Sequence, residues 1–165
     1  MRRAQLGEAI HSIKRYAGLS PREEPKTLRT FASLRFKGDR LAPSRVTDIL
    51  NTLPTLAYRT GEVYKRDQGH VTRGRTNLWL LSSAERLDSA DLNEHLAYLL
   101  SVLYPANSDE PVTRLHNLIR DSHVEADVGC FWYGARGARR PIISERVRNA
   151  FERLPARIEL NFETD

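Results

Sequence analysis

The stretch GCFWYGARGARRP, from Gly129 to Pro141, holds the only cysteine of the chain, one of its two tryptophans and a run of glycine and arginine. Three chemistries fit these residue types. A cysteine beside cations becomes a nucleophile when its neighbours favour the thiolate. Arg136, Arg139 and Arg140, spaced by glycine just before a helix, could grip an anion, because guanidinium groups and helix-start amides both attract phosphate. Phe131 and Tyr133 present flat rings that could stack on a base or on a protein partner.

Each has a plainer counterpart. Strand alternation places Val124, Ala126, Val128, Cys130 and Trp132 on one face, and that face is mostly apolar. A cysteine there behaves as a small hydrophobe. The single Gly/Arg turn matches no phosphate-loop pattern, and its glycines serve a tight exit from a strand. YKRDQGHVTRGR (Tyr64 to Arg75) reads either as a second basic patch or as an exposed hairpin. The other strand face carries Glu125, Asp127, Phe131 and Tyr133. The first strand adds Ser33, Arg35 and Lys37 to that surface, and the last adds Glu159, Asn161 and Glu163. Carboxylates repel phosphate, so a mixed-charge surface with two aromatics suits a protein partner better than a nucleic acid. The alternative is that the two middle helices cover Phe131 and Tyr133.

No pattern assigns a catalytic residue. The histidines (His11, His70, His95, His116 and His123) form no His-x-x-x-His pair, and one cysteine cannot complete a cysteine-rich zinc site. No metal site and no cofactor is implied. His95 follows Asp91 by one helical turn, as in a surface pair. A carboxylate pair drawn from Glu125, Asp127, Glu159 and Glu163 is a weak hydrolase signal, and no serine occupies a Gly-x-Ser-x-Gly elbow.

The elements that must position these residues follow from periodicity. Leu6, Ile10, Ile13 and Ala17 fall at helical spacing among Arg2, Arg3, Lys14 and Arg15, which predicts a basic amphipathic helix. It either docks on the body or a second subunit, or reaches for an anionic surface. GLSPREEPKT then reads as a linker, so residues 1–27 form an appendage and residues 28–165 one domain. Ala32, Leu34 and Phe36 alternate with Ser33, Arg35 and Lys37 as in a half-buried strand. LAPSRVTDILNTLP is a helix with Pro43 and Ser44 at its start and Pro54 as its stop. Thr55 to Thr76 is too long for a structureless loop and should hold short strands or a hairpin. NLWLLSS is a short strand covered on both faces. Asp88 opens the longest helix, which Pro105 ends, and another helix starts near Pro111. A strand runs from about Val124 to Tyr133, Ser144 caps the last helix, and RIELNFETD closes the chain as a strand. RVTDILNTLP and RVRNAFERLP form a weak internal repeat. The reading is an α+β domain of two βαβ-like halves: an antiparallel or mixed sheet of four to six strands with helices packed on it, in a ferredoxin-like arrangement.

Composition bounds the class. The chain has 165 residues, 40% hydrophobic and 28% charged, which fits a soluble domain with its own core. No apolar run approaches the roughly 18 residues of a membrane span, and the single cysteine suits a reducing compartment, so a cytoplasmic location is expected. The formal charge is +5. Residues 1–30 hold 7 Lys/Arg against 3 Asp/Glu and the rest 19 against 18, so the N-terminal segment carries the excess.

AYRTGE (Ala57 to Glu62), NLWLLSS (Asn77 to Ser83), LNEHLAYLLSVLYP (Leu92 to Pro105), ADVGCFWYG (Ala126 to Gly134) and the terminal ARIELNFETD resemble, in order and spacing, a bacterial family known as domain of unknown function 4279. The resemblance spans roughly Leu28 to Asp165. It implies no activity and no catalytic residues; an immunity or interaction role is the association it suggests. The expected function is therefore protein binding or self-association. The alternatives are weak nucleic-acid binding through the basic N-terminal segment with Arg136, Arg139 and Arg140, and a hydrolase using the sheet carboxylates.

Overall fold

The computed structural model describes residues 27–65 and 69–165. The amphipathic segment around Leu6 to Ala17 lies outside the described residues, as does nearly all of the linker.

Strand β1 (Thr27–Lys37) leads into helix α1 (Pro43–Leu50). Three short strands follow: β2 (Leu56–Tyr58), β3 (Val63–Lys65) and β4 (Val71–Arg73). Then come β5 (Leu78–Ser82), α2 (Leu92–Leu103), a 3-10 turn at Pro105–Asn107 and α3 (Glu110–Ser122). The chain ends with β6 (Glu125–Gly134), α4 (Glu145–Glu152) and β7 (Ala156–Thr164). Five strands form one sheet in the order β2-β5-β1-β6-β7, and β3 pairs with β4 in a separate hairpin. β1 runs antiparallel to both β5 and β6, while β6 and β7 are parallel. The fold is α+β with a mixed sheet. The two strand–helix–strand halves are present but not equivalent: α1 joins β1 to β2, which runs parallel to it with β5 between them, whereas α4 joins β6 to β7, which are parallel neighbours. This order does not confirm the ferredoxin-like detail.

The four helices share one face of the sheet. Their stripes bury Val46, Leu96, Leu99, Leu115 and Phe151 against Ala32, Leu34 and Phe36 of β1, Trp79 and Leu81 of β5, and Val128 and Cys130 of β6. The expected alternation of β1 and β6 is met on this face, since Leu34, Phe36, Val128 and Cys130 are all fully buried. The two repeat segments become α1 and α4, with Val46 matching Val147 and Leu50 matching Phe151 in the core. They part at their ends: Leu53 is 72% exposed while its counterpart Leu154 is buried.

Some helix boundaries differ from expectation. Pro43 and Ser44 open α1 as expected, with Ala42 at the N-cap position and no side-chain cap. Asp91, not Asp88, opens α2, its carboxylate accepting from the Asn93 amide at 2.9 Å. The chain between Asp88 and Asp91 makes a Ser89 turn instead, with Ser89 Oγ accepting from Asp91 N. α3, at 13 residues, is one turn position longer than α2, at 12. Ser144 does cap α4, accepting from the Val147 amide.

A buried polar link fixes α2 to the sheet. His95 is fully buried, which corrects the surface pairing with Asp91 expected from spacing. Its Nδ1 lies 2.8 Å from Ser83 Oγ and its Nε2 lies 2.9 Å from the Ser89 carbonyl oxygen. Nε2–H donates to the Ser89 carbonyl, while the Ser83 hydroxyl lies within hydrogen-bond distance of both His95 Nδ1 and the Ala32 carbonyl oxygen, 3.0 Å away. Ser83 Oγ in turn accepts from the Ala32 amide at 2.9 Å. The pair resembles a serine–histidine dyad in composition, but both residues are sealed in the core and every polar atom is used structurally.

Candidate functional site

With all helices on the Cys130 face, nothing but the β3–β4 hairpin lies over the other face among the described residues. Of the two readings, the one in which the two middle helices cover Phe131 and Tyr133 is not met: α2 and α3 lie on the opposite face. The hairpin accounts for β2 and β5. Tyr64 of β3 stacks on Tyr58 of β2 with ring centroids 4.2 Å apart and planes 7° from parallel. Gly74 makes room for this, since a β-carbon there would fall 2.5 Å from the Tyr58 ring. Between hairpin and sheet lies an open cleft of about 960 Å³, lined by Leu56, Tyr58, Tyr64, His70, Leu78 and Leu80. The polar stretch between Thr55 and Thr76 is thus short strands and a hairpin, as its length required; β5 is sealed on the helix side and only partly covered on the hairpin side, where Leu80 and Ser82 are half-buried.

Among the described residues, nothing lies over the other half of this face, above β1, β6 and β7. Register brings Phe31 of β1 directly opposite Phe131 of β6. The rings stack at 4.4 Å between centroids and 12° between planes. Gly129, two residues before Phe131 on the same face, explains how the ring lies flat. A β-carbon at Gly129 would sit 2.8 Å from the ring and 2.8 Å from Ser33 Oγ. An aromatic leaning over a strand glycine is a recognised way to hold such a site. Arg29 places its guanidinium 5.0 Å from the centre of the Phe31 ring. Tyr133 sits opposite Arg29 in the register and is half-buried. The result is a flat aromatic plate with a cation at its edge.

Below this plate the face is ionic. Arg35 faces Asp127 across the strands, its Nε donating to both carboxylate oxygens at 3.0 and 2.9 Å and its Nη2 lying 2.8 Å from Oδ2. Asp127 is buried, so this fork is what makes its charge tolerable. Glu159 of β7 approaches Arg35 at 3.6 Å. Lys37 pairs with Glu125 at 3.1 Å in the open. Lys37 donates a hydrogen bond to Glu125 and its charge lies close, so the Glu125 carboxyl is held below its usual range. Three of the four carboxylates considered for hydrolysis therefore have cations beside them. Glu125, Asp127, Glu159 and Glu163 line neither the hairpin cleft nor the groove between α2 and α4.

The Gly/Arg turn is a turn. Ala138 N donates to the Ala135 carbonyl at 2.8 Å, and Gly137 occupies its third position at φ 85°. Arg136, Arg139 and Arg140 are all exposed. Thr27 faces Gly134 in the register, so these arginines, Arg29 and Tyr133 share one end of the sheet. Cys130 is wholly buried, and burial pushes its thiol up to about 11. That is the opposite of what an active nucleophile needs.

A family model described as Domain of unknown function (DUF4279) matches residues 27–164, from the start of β1 to the end of β7. The chain belongs to this family. No curated protein and no solved structure matches it. The DUF4279 domain thus brings together Phe131 and Tyr133, as strand parity requires. It adds Arg29 and Phe31, which sequence reasoning did not single out. The signal for Phe31 was present: it shares strand parity with Arg35 and Lys37, where an aromatic is out of place. A groove between α2 and α4 was also missed. It holds about 730 Å³ over Ala97, Leu100, Val147 and Ala150. Tyr104 closes one end, its hydroxyl donating to the Ala150 carbonyl at 3.0 Å. Helix periodicity alone cannot show that a groove opens between two packed helices. No helix among the described residues is long and apolar enough to cross a membrane.

Proposed function

We propose that the DUF4279 domain binds another protein through the uncovered half of its sheet. Phe31, Phe131 and Tyr133 form the contact centre, with Arg29, Arg136, Arg139 and Arg140 as its basic margin. The observation that carries this reading is the stacked Phe31–Phe131 pair on a face that no helix among the described residues covers. Solvent-facing aromatics are enriched where proteins meet, because they bury large areas with few torsions to freeze. The ionic row beside them supplies both signs of charge, which suits a protein surface and disfavours a polyphosphate.

The test is site-specific photocrosslinking in cells of the source organism. A crosslinker at Tyr133 should yield a discrete protein adduct, and the same group at exposed Arg114 on α3 should not. Equal labelling from both positions would refute the reading. Competition by purified wild-type chain, lost in Phe131→Ser, identifies the rings as the contact.

A second reading has one observation in its favour. The chain enters β1 at Thr27, beside Gly134, so the N-terminal basic segment joins the sheet next to the arginine turn. Together they could hold a nucleic acid. That reading requires binding that weakens steeply with salt and falls when residues 1–26 are removed. A nucleic-acid adduct at Tyr133 would favour it over the first.

A further inference from the structure

The two edges of the main sheet differ. β2 is three residues long and lies beside the β3–β4 hairpin. β7 is nine residues long and pairs only with β6. Edge strands leave a row of backbone N–H and C=O groups without strand partners, and proteins blunt long ones with bulges, prolines or a covering element. Among the described residues, β7 has no bulge, no proline and no covering element. Its pairing with β6 runs without a register shift from Ala126–Ala156 to Gly134–Thr164. Its sequence, ARIELNFET, contains no proline. On the helix side, Leu160 is 56% exposed, although it sits opposite buried Cys130.

We propose that β7 pairs antiparallel with β7 of a second copy of this chain, centred on Leu160. Two five-stranded sheets then join into one, with both helix layers on the same side. The side chains select this partner and this register. Directly opposite residues on antiparallel strands point to the same face, so a twofold pair must centre on one residue and its copy. Centred on Leu160, Arg157 lies opposite Glu163 at both ends, and Glu159 lies opposite Asn161. On the helix side, Ile158 meets Phe162 and the two exposed Leu160 side chains cover each other. All nine residues of the strand are paired. Moving the centre to Glu159 sets that carboxylate against its own copy. Moving it to Asn161 sets Glu159 against Glu163. Like charges directly opposite destabilise a ladder, and unlike charges support it. The edge is complementary to itself in charge, in apolar contact and in length. This inference does not rest on the open-face reading, because the pairing edge and the Phe31–Phe131 plate are separate surfaces.

Sedimentation velocity on the full chain at micromolar concentrations tests it. The wild type should be a dimer. Arg157→Glu places Glu opposite Glu163 twice and should weaken the dimer by about tenfold or more. The double variant Arg157→Glu/Glu163→Arg restores opposite charges and should return the dimer to near its original strength. Both positions are exposed, so circular dichroism should be unchanged. Leu160→Lys, also at an exposed position, should dissociate the dimer without unfolding the chain. A monomeric wild type overturns the proposal. So does a dimer indifferent to Arg157→Glu, or a folded double variant that stays monomeric. Loss of the dimer with the Tyr133 crosslink intact separates this pairing from the open-face contact.

Discussion

Neighbouring residues of β6 live in different worlds. Cys130 and Trp132 face four helices and are sealed; Phe131 and Tyr133 face outward and stay half-buried. Both faces hold aromatics, yet they hold them differently. On the helix side, each tryptophan has a hydrogen-bond partner and meets its aromatic neighbour edge-on. Trp79 donates to Thr47 Oγ1 at 3.0 Å and Trp132 to Thr27 Oγ1 at 2.9 Å. Phe36 meets Trp79 at 61° and Phe162 meets Trp132 at 70°. On the open side, Phe31 and Phe131 lie flat on each other, with Gly129 against Phe131 and the Arg29 guanidinium over Phe31. Edge-on packing interlocks a core in three dimensions, whereas this flat stack stays half-buried at the surface. The difference separates aromatics that hold the fold from aromatics free to meet something else.

Breaking the helix side should have the largest effect. Trp79→Ala removes a fully buried ring, its contact with Phe36 and the bond to Thr47. Large-to-small changes of this kind cost about 3–5 kcal/mol. Urea denaturation should show that loss, with the Tyr133 crosslink retained at temperatures where the variant is still folded. The same face predicts a pH effect through Cys130. Burial raises its thiol from the ordinary value of 9.0 to about 11, so the folded state holds the proton more tightly than the unfolded chain. The associated stability is complete below pH 9 and is lost as the pH rises through 11. A shift of this size corresponds to on the order of 2–3 kcal/mol. Denaturation midpoints measured across that window should fall faster for wild type than for Cys130→Ala. At pH 8 a thiol reagent should label Cys130 only after unfolding.

These two sides were unequally legible from sequence. Alternation in Ala32, Leu34 and Phe36 and in Val128, Cys130 and Trp132 identified the core face directly, because burial demands strict parity. The cap at Ser144 and the stop at Pro105 located helix ends for the same local reason, whereas α1 ends at Leu50 with Asn51 in the left-handed region, ahead of the expected stop at Pro54. Which face the helices would choose to cover was not local. It depends on connections between β5 and β6 that no periodicity records, so coverage of Phe131 stayed open until the sheet order was known. His95 shows the same limit. Its spacing from Asp91 suggested a surface pair, while its actual partners, Ser83 and Ser89, lie in the loop before the helix. The Phe31–Phe131 contact needed the β1–β6 register, which links residues 100 positions apart.

Within the open face, a charge comparison sharpens the distinction. Arg35→Ala strips the fork from buried Asp127 and leaves its carboxylate with no cation at hydrogen-bond distance. An unpaired buried charge of this kind costs about 1–3 kcal/mol, tempered here because Arg35 itself is one-third exposed. Lys37→Ala breaks an ion pair that is open to water and should leave the melting temperature unchanged. If both variants melt alike, the ionic row is ornamental to the fold, and burial of Asp127 has another source of support.

A small expected effect on stability belongs to the residue with the largest expected effect on binding. Phe131→Ser removes one ring of the stack and leaves Phe31 and Gly129 in place. A cross-strand aromatic pair contributes only about 0.5–1.5 kcal/mol, and a half-buried ring loses less burial than one in the core. Trp79→Ala should therefore outweigh it severalfold in urea, while Phe131→Ser should abolish competition for the Tyr133 adduct. The inverse ranking is the decisive feature. A ring that served the fold would lose stability and binding together. A ring placed for a partner loses binding while the chain still folds, and that separation can be read from two variants on one sheet.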